Sequence, residues 1–237
     1  MKKLTTLLVA FFVTAGMAFA QTNVAEIDQV GDNNEATIDQ QGTLNEAFIE
    51  QLGSNSDITQ TQDGDENYAS ALSNGALNAT QTQIGDENEA IIGVEHQTGL
   101  GNSTVTQYQE GDKNRAVFTS AGPGTNNANI EQSQWGDNNI SEVTWFRSNP
   151  GGLAYTSQTG DRNEAYLDLE SGRRNFFEVD QFGDDNFLDA YIPGNNNDLF
   201  VNQHGDNNEA FVDMLSNGNS STINQTGNEN EAVIYQD

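Results

Sequence analysis

The chain has 237 residues, 34% of them hydrophobic, and sets 36 acidic side chains against 8 basic ones for a formal charge of −28. That balance argues against nucleic acid or an anionic membrane as a partner, since both need clustered Lys and Arg, and it is poor material for one large globular core. The 31 Asn and 19 Gln make roughly a fifth of the chain uncharged amide that must be solvated or hydrogen-bonded, and with only 3 prolines little favours a Pro-rich linker.

The first element is a leader. Lys2-Lys3 precedes an apolar run through Leu7-Leu8-Val9-Ala10-Phe11-Phe12-Val13, and Ala18-Phe19-Ala20 closes it. Residues 1–20 therefore read as a secretory signal peptide, too short and wrongly flanked for a membrane span, and no second apolar span follows. Cleavage after Ala20 removes two lysines and so makes the remaining chain more acidic still, at −28 − 2 = −30. The product is expected to be secreted and extracellular, with no membrane insertion. It has no Cys and so no disulfide staple.

Residues 21–28 are a short N-terminal segment, and residues 29–237 form one repeat region. Gly31, Gly42, Gly53, Gly64 and Gly75 recur at a constant step of eleven, as do Gly172, Gly183, Gly194 and Gly205. Gln recurs two positions before the glycine, Asn three after it, and an apolar residue seven after it, as at Ile38, Ile49, Ile92, Phe118, Val179 and Ile234. In Asn34-Glu35-Ala36-Thr37-Ile38-Asp39-Gln40 the alternation has period 2, which makes the unit a strand closed by a Gly-Asp or Gly-Asn turn. Two such units make one coil, and coils stack at about 4.8 Å. The predicted fold is an all-β, amyloid-forming β-solenoid of about nine two-strand coils, with irregular loops about 119–157.

Inward amides are stabilised if the same site recurs in each coil, so that each side-chain carbonyl accepts from the neighbouring amide. The expected ladder takes Gln29, Asn34, Gln40, Asn45, Gln51, Gln62, Asn67, Gln83, Asn88 and Gln109, then Asn114, Gln158, Asn163, Gln181, Asn186, Gln203, Asn208, Gln225 and Asn230. One turn phase reads Gly-Asp-x-Asn throughout, and the intervening phase is degenerate. The turn aspartates Asp32, Asp65, Asp86, Asp112, Asp137, Asp161, Asp184 and Asp206 are read as gatekeepers that delay assembly by repulsion. Like charges one coil apart repel by about 0.9 kcal/mol in water, against about ten backbone hydrogen bonds per coil junction worth about 1 kcal/mol each, so stacking wins. Six after the glycine, Phe48, Ile91, Val117, Tyr166, Phe211 and Val233 should form an outward apolar column beside an acidic one of Glu46, Glu89, Glu164, Glu209 and Glu231.

The run Gln29-Val30-Gly31-Asp32-Asn33-Asn34-Glu35-Ala36-Thr37-Ile38-Asp39-Gln40 resembles the curlin repeat, Gln-x-Gly-x-x-Asn-x-Ala-x-x-x-Gln, of the subunits of curli, the extracellular amyloid fibres of bacterial biofilms. Further copies run from Gln40, Gln62, Gln109, Gln203 and Gln225, so the resemblance covers nearly all of the chain after the leader. It implies a homopolymer that grows at the bacterial surface, a nucleator subunit, an outer-membrane secretion pore, and roles in adhesion, aggregation and biofilm matrix. A major subunit fits better than a nucleator, because the last copy ends without a basic, divergent tail. Three departures from the family are a repeat count above its usual five, a more degenerate second phase, and a segment Gln21 to Asp28 too short for an amide-rich export signal.

No enzymatic reading emerges. His96 and His204 lie in or beside turns with no nucleophile elbow or phosphate loop, and the acids recur with the repeat instead of forming one unique constellation. No cofactor and no defined metal site are assigned, although stacked aspartates offer oxygens that Ca²⁺ would screen. The alternative is a monomeric secreted solenoid binding ice or a glycan. Ice binding favours a regular outward threonine array, and Thr37 and Thr59 are not followed by one in the sequence.

Overall fold

The computed structural model describes residues 22–94, 102–120, 127–145, 151–169 and 174–237. Nineteen strands are found among them. The first nine are β1 (Val24–Gln29), β2 (Glu35–Gln41), β3 (Glu46–Gln51), β4 (Asp57–Asp63), β5 (Tyr68–Ser73), β6 (Leu77–Ile84), β7 (Glu89–Val94), β8 (Ser103–Glu110) and β9 (Arg115–Ser120). The rest are β10 (Asn129–Trp135), β11 (Ile140–Trp145), β12 (Leu153–Thr159), β13 (Glu164–Leu169), β14 (Phe176–Phe182), β15 (Phe187–Tyr191), β16 (Asp198–His204), β17 (Glu209–Met214), β18 (Ser220–Thr226) and β19 (Glu231–Gln236). Odd-numbered strands make a ten-stranded sheet and even-numbered strands a nine-stranded one, each pairing its strands in coil order. The pairs are parallel and in register, as in Ala47↔Ala69 and Gln62↔Gln83. The chain is a β-solenoid of about nine turns.

Alternation places the core. β5 buries Ala69, Ala71 and Ser73 and turns the residues between them outward, and the same pattern recurs along the stack. The inner faces of the two sheets meet in one continuous cluster that includes Ile49, Ile58, Ile92, Phe118, Ile130, Trp145, Leu167 and Phe177. Stacked backbones carry most of the hydrogen bonding, which is why a chain only 34% hydrophobic folds at all.

Glycine is required at the turns that lead into the ten-stranded sheet. Gly111 has φ of 117°, and a Cβ there would overlap the carbonyl oxygen of Gly136 and lie 2.8 Å from its carbon. Two residues on from such glycines, Glu87, Lys113 and Arg162 also hold positive φ, at 58°, 59° and 57°. The stretch 119–157, expected to be irregular, keeps β10, β11 and the start of β12 in register. Residues 121–126 and 146–150, within that stretch, lie outside the described residues, and coils longer than 22 residues also run from Asn88 to Asn114 and from Asn163 to Asn186, where none was expected. The leader assigned to residues 1–20 and His96 also lie outside the described residues.

Candidate functional site

The two edges of the coil differ. At one, turns carry the chain from the nine-stranded to the ten-stranded sheet, and here the Gly-Asp turns stack. Asp65 N–H donates to Asp86 Oδ1 at 2.8 Å, and the relay continues through Asp112, Asp137, Asp161 and Asp184 to Asp206, with separations of 2.9 to 3.1 Å. Thr43 N–H donates to Asp65 at one end, and Asn228 accepts from Asp206 at 3.0 Å at the other. Seven of the eight turn aspartates are thus brought into one column whose carboxylates are hydrogen-bond acceptors as well as charges. Asp32 is not among them: it sits on the other edge, where its N–H donates to Ser54.

Asparagine staples the same edge. In Asn45, Asn67, Asn88, Asn114, Asn139, Asn163 and Asn186, Oδ1 accepts from the backbone N–H of the next Asn in the column while Nδ2 donates to the glycine carbonyl of the next coil. Asn208 and Asn230 extend the column. Coil length, read from these steps, is 22 residues at both ends and reaches 26 between Asn88 and Asn114. Asn34 lies apart on the variable edge, where it bonds Ser56 N–H and the Gly53 carbonyl. That column passes through Ser56, Leu77, Ser103, Ala128 and Gly152 before asparagine returns at Asn175, Asn197 and Asn219.

Glutamine forms two ladders inside the nine-stranded sheet. The first runs Gln40, Gln62, Gln83, Gln109, Gln134, Gln158, Gln181, Gln203 and Gln225, each Nε2 donating to the next Oε1 at 2.8 to 3.0 Å. The second, unforeseen, runs Gln60, Gln81, Gln107 and Gln132 at 2.7 to 2.8 Å, and Gln132 goes on to Ser141. Its signal was present as Gln-x-Gln at Gln60-Thr61-Gln62 and its three successors, but the position reads as apolar elsewhere in the repeat. Gln29 and Gln51 belong to neither ladder. They share one rung of 2.5 Å in the ten-stranded sheet, whose column then passes to Ser73, Ser120, Trp145, Leu169 and Met214.

The outward residues Phe48, Ile91, Val117, Tyr166, Phe211 and Val233 fall in one register column with Ser70, Glu142 and Asp189. The neighbouring column is not an acidic stripe, because Tyr68, Arg115, Ile140 and Phe187 alternate with its glutamates. Arg115 pairs with Glu89 at 3.0 Å and with Glu142, and rings bridge the two columns at Phe48–Tyr68, Tyr166–Phe187 and Phe187–Phe211. Burial, with Glu164 alongside, pushes the Tyr166 phenol up. On the turn surface Lys113 pairs with Glu87 and Arg162 with Asp185, whose carboxyl the guanidinium hydrogen bond holds below its ordinary value.

The other sheet corrects a second expectation. Thr37, Thr59, Thr80 and Thr106 do stack in register, with Thr61 beside Thr82, until Glu131 ends the row. The sequence hid the array because the coil length changes between its members. His204 stacks on Phe182 with ring centroids 4.7 Å apart. Among the described residues no group of three or more metal-ligating side chains converges, and no helix is long and apolar enough to cross a membrane.

Three segments, residues 20–42, 31–64 and 194–227, match the curlin associated repeat. The chain carries curlin repeats at these three places. The matches fall toward the two ends, where the coils are 22 residues, and the coils between them, of 21 to 26 residues, carry the same Asn, Asp and Gln columns without matching the repeat. No curated protein sequence matches the chain. Family and fold are both those of structural proteins.

Proposed function

We propose that this curlin-repeat chain is the subunit of a curli-like extracellular amyloid fibre that polymerises end to end at the bacterial surface, for adhesion, aggregation and biofilm matrix. One observation carries the reading: at both ends of the stack the described residues offer open strand edges over half-buried apolar side chains, Ile27 and Ile38 at one end and Ala232 and Ile234 at the other. A solenoid that stays monomeric needs polar caps there, because unpaired N–H and C=O groups template another strand. Export follows cleavage of the leader, and a nucleator and an outer-membrane secretion pore complete the system.

The test is incubation of the purified chain freed of residues 1–20. Fibres with a reflection near about 4.8 Å along the axis support the subunit reading. A monomer that persists for days at high concentration overturns it. The threonine row is the specific observation in favour of the alternative, an ice-binding monomer, and thermal hysteresis from that persistent monomer would support it. Its end at Glu131 after four members leaves the fibre reading ahead.

A further inference from the structure

Nineteen strands, two to a coil, give nine and a half coils, so β1 and β19 lie in the same sheet. If a second copy stacked in the same orientation, β1 would cover β19 but nothing would cover β18. The next strand in that sheet would be the incoming β2, two spacings or about 9.6 Å away. The empty place is visible as a trough at the end of the stack, lined by Ile223, Gln225, Asn230, Ala232 and Ile234. A whole strand of backbone donors and acceptors would stay unpaired at each junction.

A copy rotated by half a turn about the stack axis avoids this. Its β1 lands on β18 and its β2 on β19. The two strands of each coil run in opposite directions, so such a rotation keeps every pairing parallel. Inward residues then match: Ile223 and Gln225 meet Ile27 and Gln29, and Ile234 and Gln236 meet Ile38 and Gln40.

The turns separate the two arrangements. After a half-turn, the turn that follows Gly227-Asn228-Glu229-Asn230 is Gly31-Asp32-Asn33-Asn34 of the next copy. Asp32 is misplaced within its own molecule, on an edge whose next turns read Gly53-Ser54 and Gly75-Ala76. In the rotated copy it becomes the next member of the aspartate column, ready to accept the Asn228 N–H. Asn34 becomes the next member of the asparagine column, and Gly31, with φ of 124°, supplies the carbonyl for Asn230 Nδ2. Gln29 and Gln51, cut off in their own sheet, extend the ladder that ends at Gln225. Without rotation the same turn would meet, among the described residues of the cleaved chain, only Thr22-Asn23, which keeps an asparagine but has neither the glycine nor the aspartate.

From this complementarity we infer that successive subunits are related by a half-turn and a rise of nine and a half coils, about 46 Å. The fibre is then a nicked continuous solenoid whose outer faces alternate sides from one subunit to the next. The inference rests on the end-to-end reading above, with a second copy of this chain as the partner.

The chain has no cysteine, so thiol pairs can test it. Residues 26, 222 and 233 are all exposed and outward. A half-turn sets residue 222 over residue 26 of the next copy, whereas stacking without rotation sets residue 233 there. Fibres of Glu26→Cys/Thr222→Cys should therefore crosslink through a short bis-thiol reagent into a ladder of multimers, while fibres of Glu26→Cys/Val233→Cys and the single-Cys controls dissolve to monomer. Crosslinking of the 26/233 pair, of both pairs, or of neither in well-formed fibres would overturn the half-turn. If the variants fail to assemble, the subunit-to-subunit rotation in unsubstituted fibres, read by cryo-EM, decides: half a turn supports the inference and no rotation overturns it. Failure of the unsubstituted chain to form fibres would instead overturn the fibre reading, and this inference with it.

Discussion

Gly111→Ala tests the stacking most sharply, because one methyl group opposes both the backbone conformation and the neighbouring coil. At φ of 117° an alanine is strained by about 1–3 kcal/mol. Its Cβ would also overlap Gly136, and relieving that contact means moving two coils apart where three hydrogen bonds join them. These are Gly136 N–H to the Glu110 carbonyl at 2.9 Å, Asp112 N–H to Asp137 at 2.9 Å, and Asn114 Nδ2 to the Gly136 carbonyl at 2.7 Å. At about 1 kcal/mol net for each bond, the total is about 4–6 kcal/mol. Gly93 in β7 is the control, since nothing lies within 4 Å of a Cβ there, and Gly93→Ala should be neutral or stabilising by about 0.5–1 kcal/mol. The measurement is the guanidinium midpoint for unfolding, followed by circular dichroism. Equal midpoints for the two alanine variants would refute the claim that close-packed turn glycines set the coil spacing.

Four other outcomes are expected. Gln109→Leu removes the donor to Gln134 Oε1 and to the Glu89 carbonyl and the acceptor of Gln83 Nε2; the Gln134 acceptor left alone costs about 1–3 kcal/mol and each of the other two lost bonds about 1 more, read in the same unfolding assay. Asp112→Asn keeps the acceptor, as Asn228 does naturally, and removes a charge flanked by Asp86 and Asp137; the assembly lag should shorten, by less at high salt, whereas Asp112→Ala should lose stability, and an unchanged lag for the Asn variant would end the gatekeeper idea. Arg162→Gln should raise the Asp185 pKa toward its ordinary 3.8 in an NMR titration. A depressed carboxyl pKa stabilises the fold above the unfolded value and ceases to do so as pH falls through the folded one. The Arg162–Asp185 contribution should therefore be present in the parent at neutral pH, absent from the variant, and lost from the parent too in acid, so that the two converge as pH falls. Replacing Phe48, Tyr166 and Phe211 by Ser should thin fibre bundles in electron micrographs without slowing elongation.

Period, strand phase and inward face were legible because each is a property of one repeat: a glycine, an asparagine three later and alternation between them. Which sheet a residue joins was harder, since that depends on counting half-coils through loops of unequal length. Asn34 and Asp32 look identical in the sequence to Asn67 and Asp65, yet they lie on opposite edges. The second glutamine ladder was missed for a related reason. Gln60, Gln81, Gln107 and Gln132 occupy a site that Val179 and Val201 fill further along, so no single consensus describes it. The acidic stripe failed because Arg115 and Phe187 share its column, and Arg115 is there to pair with the acids on either side.

A cryo-EM reconstruction of fibres grown from the chain freed of its leader tests the central claim most directly. Strands repeating at about 4.8 Å in both sheets, unbroken across subunit junctions and parallel to their neighbours, are the result this account requires. Discrete solenoids packed side by side, with their end strands facing solvent, would contradict it.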